Sequence, residues 1–163
     1  MGITQATIDE HFMRLSLEQA HKAQAIDEVP VGAVVVYQGE VIARAHNQTI
    51  SLNDPSAHAE ILALREAGEY LQNYRLVDCD LYVTLEPCGM CAGTLVHARI
   101  KHLIYGTADL KTGAVESIDQ ILTKPHQNHQ VNVRSGVLAA ECGQLLSDFF
   151  SVKRKTKKSK HCE

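Results

Sequence analysis

With 163 residues, 45% hydrophobic and 21% charged, the chain has the size and composition of one soluble domain with its own core. It holds no run of about 18 apolar residues to span a bilayer and no basic-then-apolar leader at its N-terminus, which points away from membrane and secreted classes and toward a cytoplasmic location. The net charge of −3 is unevenly spread, because Lys153, Arg154, Lys155, Lys157, Lys158 and Lys160 supply six of the sixteen basic residues. We therefore expect a single domain over residues 1–152 and a basic C-terminal tail over 153–163. That tail has two open readings: contacts along an RNA phosphate backbone, or a solvated, frayed end.

From Thr7 to Ile26, Ile8, Phe12, Leu15, Ala20 and Ala23 recur at near-helical intervals, which predicts a first amphipathic helix. Valine-rich Gly32–Tyr37, the turn residues Gln38 and Gly39, and Glu40–Ala45 predict a β-hairpin. Asn53, Asp54 and Pro55 form a stop-and-start signal, with Asp54 suited to a helix N-cap and Pro55 to the first helical position, so a helix is predicted over Pro55–Leu71. Leu81–Leu85 reads as a buried strand, and Pro87 suits the start of a helix over 88–99. His102–Tyr105 is a further strand, Thr107–Val115 a polar loop, Val131–Val133 a weak strand and Val137–Val152 a helix with apolar Leu138, Leu145, Phe149 and Phe150. Helices between strands imply crossovers, so the class is α/β: a mostly parallel sheet with helices on both faces, entered by an antiparallel hairpin. In such sheets ligands gather where strand ends meet helix starts, and His58, Cys88 and Cys91 all fall at predicted helix starts.

The five cysteines, at 79, 88, 91, 142 and 162, are an odd number, which argues against a disulfide framework. Cys88 and Cys91 stand three apart, so a helix puts both on one face, and the free N–H groups and partial positive charge of a helix start favour thiolates. One imidazole from His58 would complete a three-ligand zinc site, one ligand short of a closed structural one, leaving the fourth tetrahedral position open to water. Two thiolates cancel the charge of the metal and weaken it as an acid toward that water, so a nearby proton acceptor is needed. Glu60 is the candidate catalytic base and acid. Residues i and i+2 diverge on a regular helix, so spacing alone leaves open whether Glu60 reaches the site.

Ala57-His58-Ala59-Glu60 and Glu86-Pro87-Cys88-Gly89-Met90-Cys91 together match the H-x-E and P-C-x-x-C signature of zinc deaminases. The stretch from Val29 to Gly113, with Pro30-Val31-Gly32-Ala33, His46-Asn47, Asp54 to Glu60, Asn73-Tyr74-Arg75-Leu76 and Leu81 to Cys91, closely resembles the bacterial tRNA-specific adenosine deaminases. Lys111-Thr112-Gly113-Ala114 and Leu145 to Phe150 look like further pieces of that family. The resemblance implies a three-layer α/β/α cytidine-deaminase-like fold with a central mixed five-stranded sheet. It also implies hydrolytic conversion of adenosine to inosine at the wobble position of a tRNA anticodon, in a homodimer with one zinc per subunit. An anticodon loop is already single-stranded, which lowers the cost of extruding the target base. By the same likeness Asn47 would hydrogen-bond the flipped nucleoside, Val29 and Pro30 would belong to the pocket wall, and Asp109 would touch nearby RNA. His46 stands where a tryptophan is expected and Leu85 where a phenylalanine can occur, and an aliphatic side chain offers a base no ring to stack on.

Two other functions share parts of this pattern. Deamination of a free base or nucleoside, of guanine or cytosine type, would use the same zinc and glutamate. A non-catalytic zinc-stabilised RNA-binding protein would draw folding energy from the metal, but it needs a fourth protein ligand, and no further Cys or His has the spacing. His97, His126 and His129 read as surface or satisfied interior residues.

Overall fold

The computed structural model describes the backbone of residues 2–161 and the side chains of residues 2–158. The elements in chain order are α1 (Gln5–Ala25), β1 (Gly32–Tyr37), β2 (Glu40–His46), α2 (Ala59–Leu71), β3 (Cys79–Leu85), α3 (Gly89–Ala98), β4 (His102–Thr107), a short 3-10 turn (Ile121–Thr123), β5 (Asn132–Arg134) and α4 (Ala139–His161). The strands form one sheet of order β2-β1-β3-β4-β5. Its pairings correct the expectation of a mostly parallel sheet: β1 runs antiparallel to both β2 and β3, while β3, β4 and β5 are mutually parallel. The hairpin is joined through Gln38 and Gly39, both at positive φ (53° and 78°), as the tight turn matched to twisted strands requires.

Side chains alternate along each strand and fill two cores. Ala33 and Val35 of β1, Leu81 and Val83 of β3, and Leu103 and Tyr105 of β4 face one way, where Ala59, Ala63, Leu64 and Ala67 of α2 and Ala92, Leu95 and Val96 of α3 cover them. Val34, Val36, Tyr82 and Ile104 face the other way, beneath Phe12, Met13 and Leu17 of α1 and Cys142 of α4. Period-two strands between helix pairs thus give the three layers. α1 lies so close to β1 at Gly32 that any β-carbon there would collide with the helix backbone at Ser16 and Ala20.

A buried polar connection joins the layers on the α1 side. The Asp9 carboxylate accepts hydrogen bonds from Tyr82 Oη at 2.7 Å, Gln5 Nε2 at 2.9 Å, and Arg134 Nε and Nη2 at 2.7 and 3.0 Å. Burial works against the charge on Asp9, but these donors outweigh it and hold the carboxyl below its ordinary value. Nothing in the spacing of positions 9 and 134 announces the pair.

Two helix boundaries differ from the sequence reading by more than two residues. α2 begins at Ala59 rather than Pro55, because Asp54 caps a local turn instead, its Oδ1 accepting from Ser56 N at 2.9 Å and Ser56 Oγ at 2.7 Å. α4 does not stop at Val152 but continues through the basic residues to His161. The side chain of Lys160, and Cys162, lie outside the described residues.

Candidate active site

Because β1 is antiparallel to β3, with Ala33 opposite Val83, and Gly32 pairs with His46, one end of the sheet gathers four chain segments. These are Val29–Gly32 leading into β1, Asn47 leaving β2, Leu85–Cys88 leaving β3 and Thr107–Thr112 leaving β4. They enclose a cleft of about 760 Å³, lined among others by Val29, Asn47, His58, Glu60, Leu85 and Cys88. The carboxyl ends of the parallel strands β3 and β4 open into it, where α/β sheets bind ligands. A groove of about 880 Å³ between α2 and α3 is larger but contains none of His58, Glu60, Cys88 or Cys91, so donor chemistry rather than size marks the site.

His58 and Cys88 occupy equivalent places, as the extended residues just before α2 and α3. His58 Nδ1 lies 3.7 Å from Cys88 Sγ and 3.5 Å from Cys91 Sγ, and one donor atom from each of the three residues lies within 4.8 Å of the other two. No fourth His, Cys, Asp or Glu joins this group among the described residues. As the protein stands, hydrogen bonds from Cys91 and His58 pull the Cys88 thiol down toward thiolate, whereas the bond to Cys88 and burial push Cys91 up. The hydrogen bond to Cys88 raises His58. Two sulfurs and an imidazole competing for protons at this separation are a donor set that a divalent cation would relieve.

Glu60, in the first turn of α2, is 4% exposed and lines the same cleft. The extended conformation of His58 (φ −74°, ψ 152°) takes it out of the regular helix for which residues two apart diverge, and His58 and Glu60 both line the cleft although one lies outside the helix and the other within it. Burial pushes the Glu60 carboxyl up, and Cys91 and Glu60 are close enough to affect each other's ionisation.

Two further carboxylates were not singled out from the sequence. Glu28 is 1% exposed, and its Oε1 accepts from the amides of Ile50 at 2.7 Å and Ser51 at 3.1 Å, pinning the loop that leads to α2. Its Oε2 is buried without a hydrogen-bond partner among the described residues. Glu86, 2% exposed, accepts from Asp109 N, Val115 N, Glu116 N, Ser117 N and Ser117 Oγ. Neither position carries a spacing signal of this role. Only the burial of Glu28 and Glu86 between apolar strands and loops reveals it.

The remaining candidates divide. Asn47 lines the cleft, and its Oδ1 accepts from Ala59 N at 2.8 Å. Val29 lines the cleft, while Pro30 is buried beside it. Asp109 also lines it, but its carboxylate holds its own loop, with Oδ1 accepting from Lys111 N and Thr112 N, both at 3.0 Å, and Oδ2 from Thr112 Oγ1 at 2.8 Å. Leu85 lines the cleft, whereas His46 lines a separate groove with Lys22, Arg44 and Arg65. In the basic segment, Lys153 pairs with Asp27 and rests over the Phe149 ring, while Arg154, with Ser147 and Phe150 on the same face of α4, borders the cleft. Lys155, Lys157 and Lys158 are exposed.

A His-Cys-Cys donor group beside a buried glutamate, at the carboxyl ends of a mixed α/β sheet, is the arrangement of the deaminase class, and the sequence profile of MafB19-like deaminases matches residues 8–154. A tRNA-specific adenosine deaminase of Haemophilus influenzae is 51% identical over 92% of this chain and 87% of its own. That of Agrobacterium fabrum is 50% identical over 88% and 95%. A solved tRNA:A34 deaminase superposes with a TM-score of 0.82 at 50% identity, covering 83% of this chain and 99% of its own. A guanine deaminase from Nitrosomonas europaea superposes with a TM-score of 0.72 at 26% identity, covering 86% and 83%. The chain belongs to the tRNA-specific adenosine deaminase family.

Proposed function

We propose that this protein hydrolytically deaminates adenosine to inosine at the wobble position of a tRNA anticodon, with one zinc per subunit held by His58, Cys88 and Cys91. The observation that carries the reading is the convergence of these three donors with buried Glu60 in one cleft, in a chain about half identical to tRNA-specific adenosine deaminases. Three donors fit a catalytic rather than a closed structural site, and a sulfur-rich set favours zinc over hard cations. Bound zinc would supply the Lewis acidity that makes water nucleophilic near neutral pH.

Glu60 takes a proton from the water that attacks C6 of the adenine and delivers it to a ring nitrogen. It then takes the remaining proton from the new hydroxyl at C6 and passes it to the exocyclic amino group, so that the C6–N bond breaks, ammonia leaves and the oxygen stays on the ring as a carbonyl. A buried carboxyl suits this shuttle, because desolvation brings its proton affinity closer to that of the groups it serves. Asn47 spends its carbonyl on the start of α2, which leaves its Nδ2 amide to hydrogen-bond the flipped nucleoside, with Val29 and Leu85 as apolar walls. Within the basic C-terminal segment, Arg154 at the rim is the residue best placed to meet a phosphate. The reading includes a cytoplasmic enzyme and a homodimer, which sedimentation at micromolar concentration tests.

The direct experiment is to incubate the zinc-loaded protein with an anticodon stem-loop bearing adenosine at the wobble position, and in parallel with free adenosine, guanine and cytidine. Inosine in the stem-loop is expected, with little ammonia from the free compounds. Ammonia from guanine or cytidine alone would replace this reading with the small-substrate one.

A further inference from the structure

Glu86 is the first residue after β3 and stands two positions before Cys88, yet its carboxylate turns toward the chain that leaves β4. Its own amide continues the strand pairing by donating to Thr107 O at 2.9 Å. Oε1 accepts from Asp109 N at 3.1 Å and from the Ser117 hydroxyl. Oε2 accepts from Val115 N at 3.1 Å, Glu116 N at 2.8 Å and Ser117 N at 3.0 Å. The two ends of the segment 109–117 are therefore fastened to one side chain, and the segment closes around it as a ring.

The rest of the loop conforms to that anchor. Gly113 N donates to Asp109 O at 3.0 Å and Ala114 N to Pro87 O at 2.9 Å, so the backbone wraps the Glu86-Pro87 step. A β-carbon at Gly113 would strike the Glu86 carboxyl itself, which is a steric reason for glycine there. The Asp109 side chain folds the tip through Lys111 and Thr112, and the Tyr105 hydroxyl donates to Glu116 Oε1 at 2.6 Å. Asp109, Leu110, Lys111 and Thr112 all line the cleft. A buried carboxylate with this many donors is satisfied only when the whole loop is in place, so loss of any part leaves charge or amides unpaired.

We infer that Glu86 is a positioning residue, one that fixes segment 109–117 as a preformed wall of the cleft and ties that wall to the turn carrying Cys88. The inference rests on the function proposed above: the wall serves recognition of the RNA around the target base, while the chemistry belongs to the groups already named. Binding then avoids the cost of ordering nine residues of loop at the moment of docking.

The test uses the full-length zinc-loaded protein and an adenosine-bearing anticodon stem-loop, with hydrogen exchange as a second readout. In Glu86→Gln, the amide of glutamine replaces one acceptor by a donor facing other donors. We expect amides of 109–117 to exchange about tenfold faster or more. KM should rise by about tenfold with kcat within about threefold, and zinc per chain should be unchanged. Ser117→Ala removes one donor without touching the buried charge and should move exchange and KM in the same direction by less, which keeps the test available if Glu86→Gln does not fold. Unchanged loop exchange in both variants, or a fall in kcat at constant KM, would overturn the inference. Loss of zinc from Glu86→Gln would overturn it too, by making Glu86 a support for Cys88 instead. If wild-type protein forms no inosine, the proposed function falls, and hydrogen exchange still decides whether Glu86 holds the loop.

Discussion

Asn47 and Ala59 are joined by a hydrogen bond of 2.8 Å from the Ala59 amide to Asn47 Oδ1, so the residue leaving β2 caps the helix that begins beside His58. This places one side chain in two tasks, fixing the start of α2 and facing the cleft. The two separate by substitution. Asn47→Ala should lower stability by about 1 kcal/mol, the usual value of such a cap, and lower kcat/KM as well. Asn47→Asp keeps the acceptor and loses the Nδ2 donor, so denaturant midpoints should stay near wild type while kcat/KM on the stem-loop falls. Wild-type activity in Asn47→Asp would confine the residue to capping.

The Asp9 carboxylate lies below its ordinary value and is buried against Arg134 and Tyr82. A depressed folded-state pKa stabilises the fold above the unfolded value of about 4, and that contribution disappears as pH falls through the lower folded value. Urea midpoints should therefore drop on acidification below about pH 4, and Asp9→Asn should flatten this limb while costing about 2–4 kcal/mol at neutral pH. An acid limb of unchanged slope in the variant would assign the pH dependence to other groups.

Much of this architecture was legible in the sequence, and the failures share a cause. The hairpin at Gln38-Gly39 and the strand before Pro87 emerged because turn chemistry and period-two burial are local signals. The donors His58, Cys88 and Cys91 emerged because metal chemistry restricts residue types and spacing together. The start of α2 was misplaced because Asp54-Pro55 has the composition of a cap, while the residue that does cap, Asn47, is distant in sequence. The antiparallel partnership of β1 with β3 was missed because a connection containing a helix normally returns in parallel, and here the chain reaches β3 by way of a second hairpin strand. Glu28 and Glu86 act through backbone amides, which every residue possesses, so no pattern of side chains announces them.

The basic residues of α4 differ in their surroundings. Lys153 is engaged by Asp27 and Arg154 borders the cleft. Arg154→Ala should weaken binding of the stem-loop and reduce the slope of log K against log salt by about 1, and Lys153→Ala should change that slope by much less. Removing residues 153–163 should flatten it further at unchanged zinc content. Slopes equal to that of wild type in all three variants, measured by fluorescence anisotropy, would return the segment to a solvated helix end.

Metal removal should act on chemistry and stability together. Chelation is expected to abolish inosine formation and lower the melting temperature, with both restored by adding zinc back. His58→Ala should bind zinc substoichiometrically and stay inactive after the same treatment. Full turnover by chelated protein would contradict a metal-dependent reaction.

The decisive measurement is inosine formation by Glu60→Gln protein that carries a full complement of zinc. The substitution keeps the volume of a buried, cleft-lining side chain and removes its ability to carry a proton. Turnover should fall by a factor of about 100 or more, with one zinc still bound per chain because Glu60 is not a ligand. Zinc-loaded Glu60→Gln that forms inosine at the wild-type rate would contradict the account.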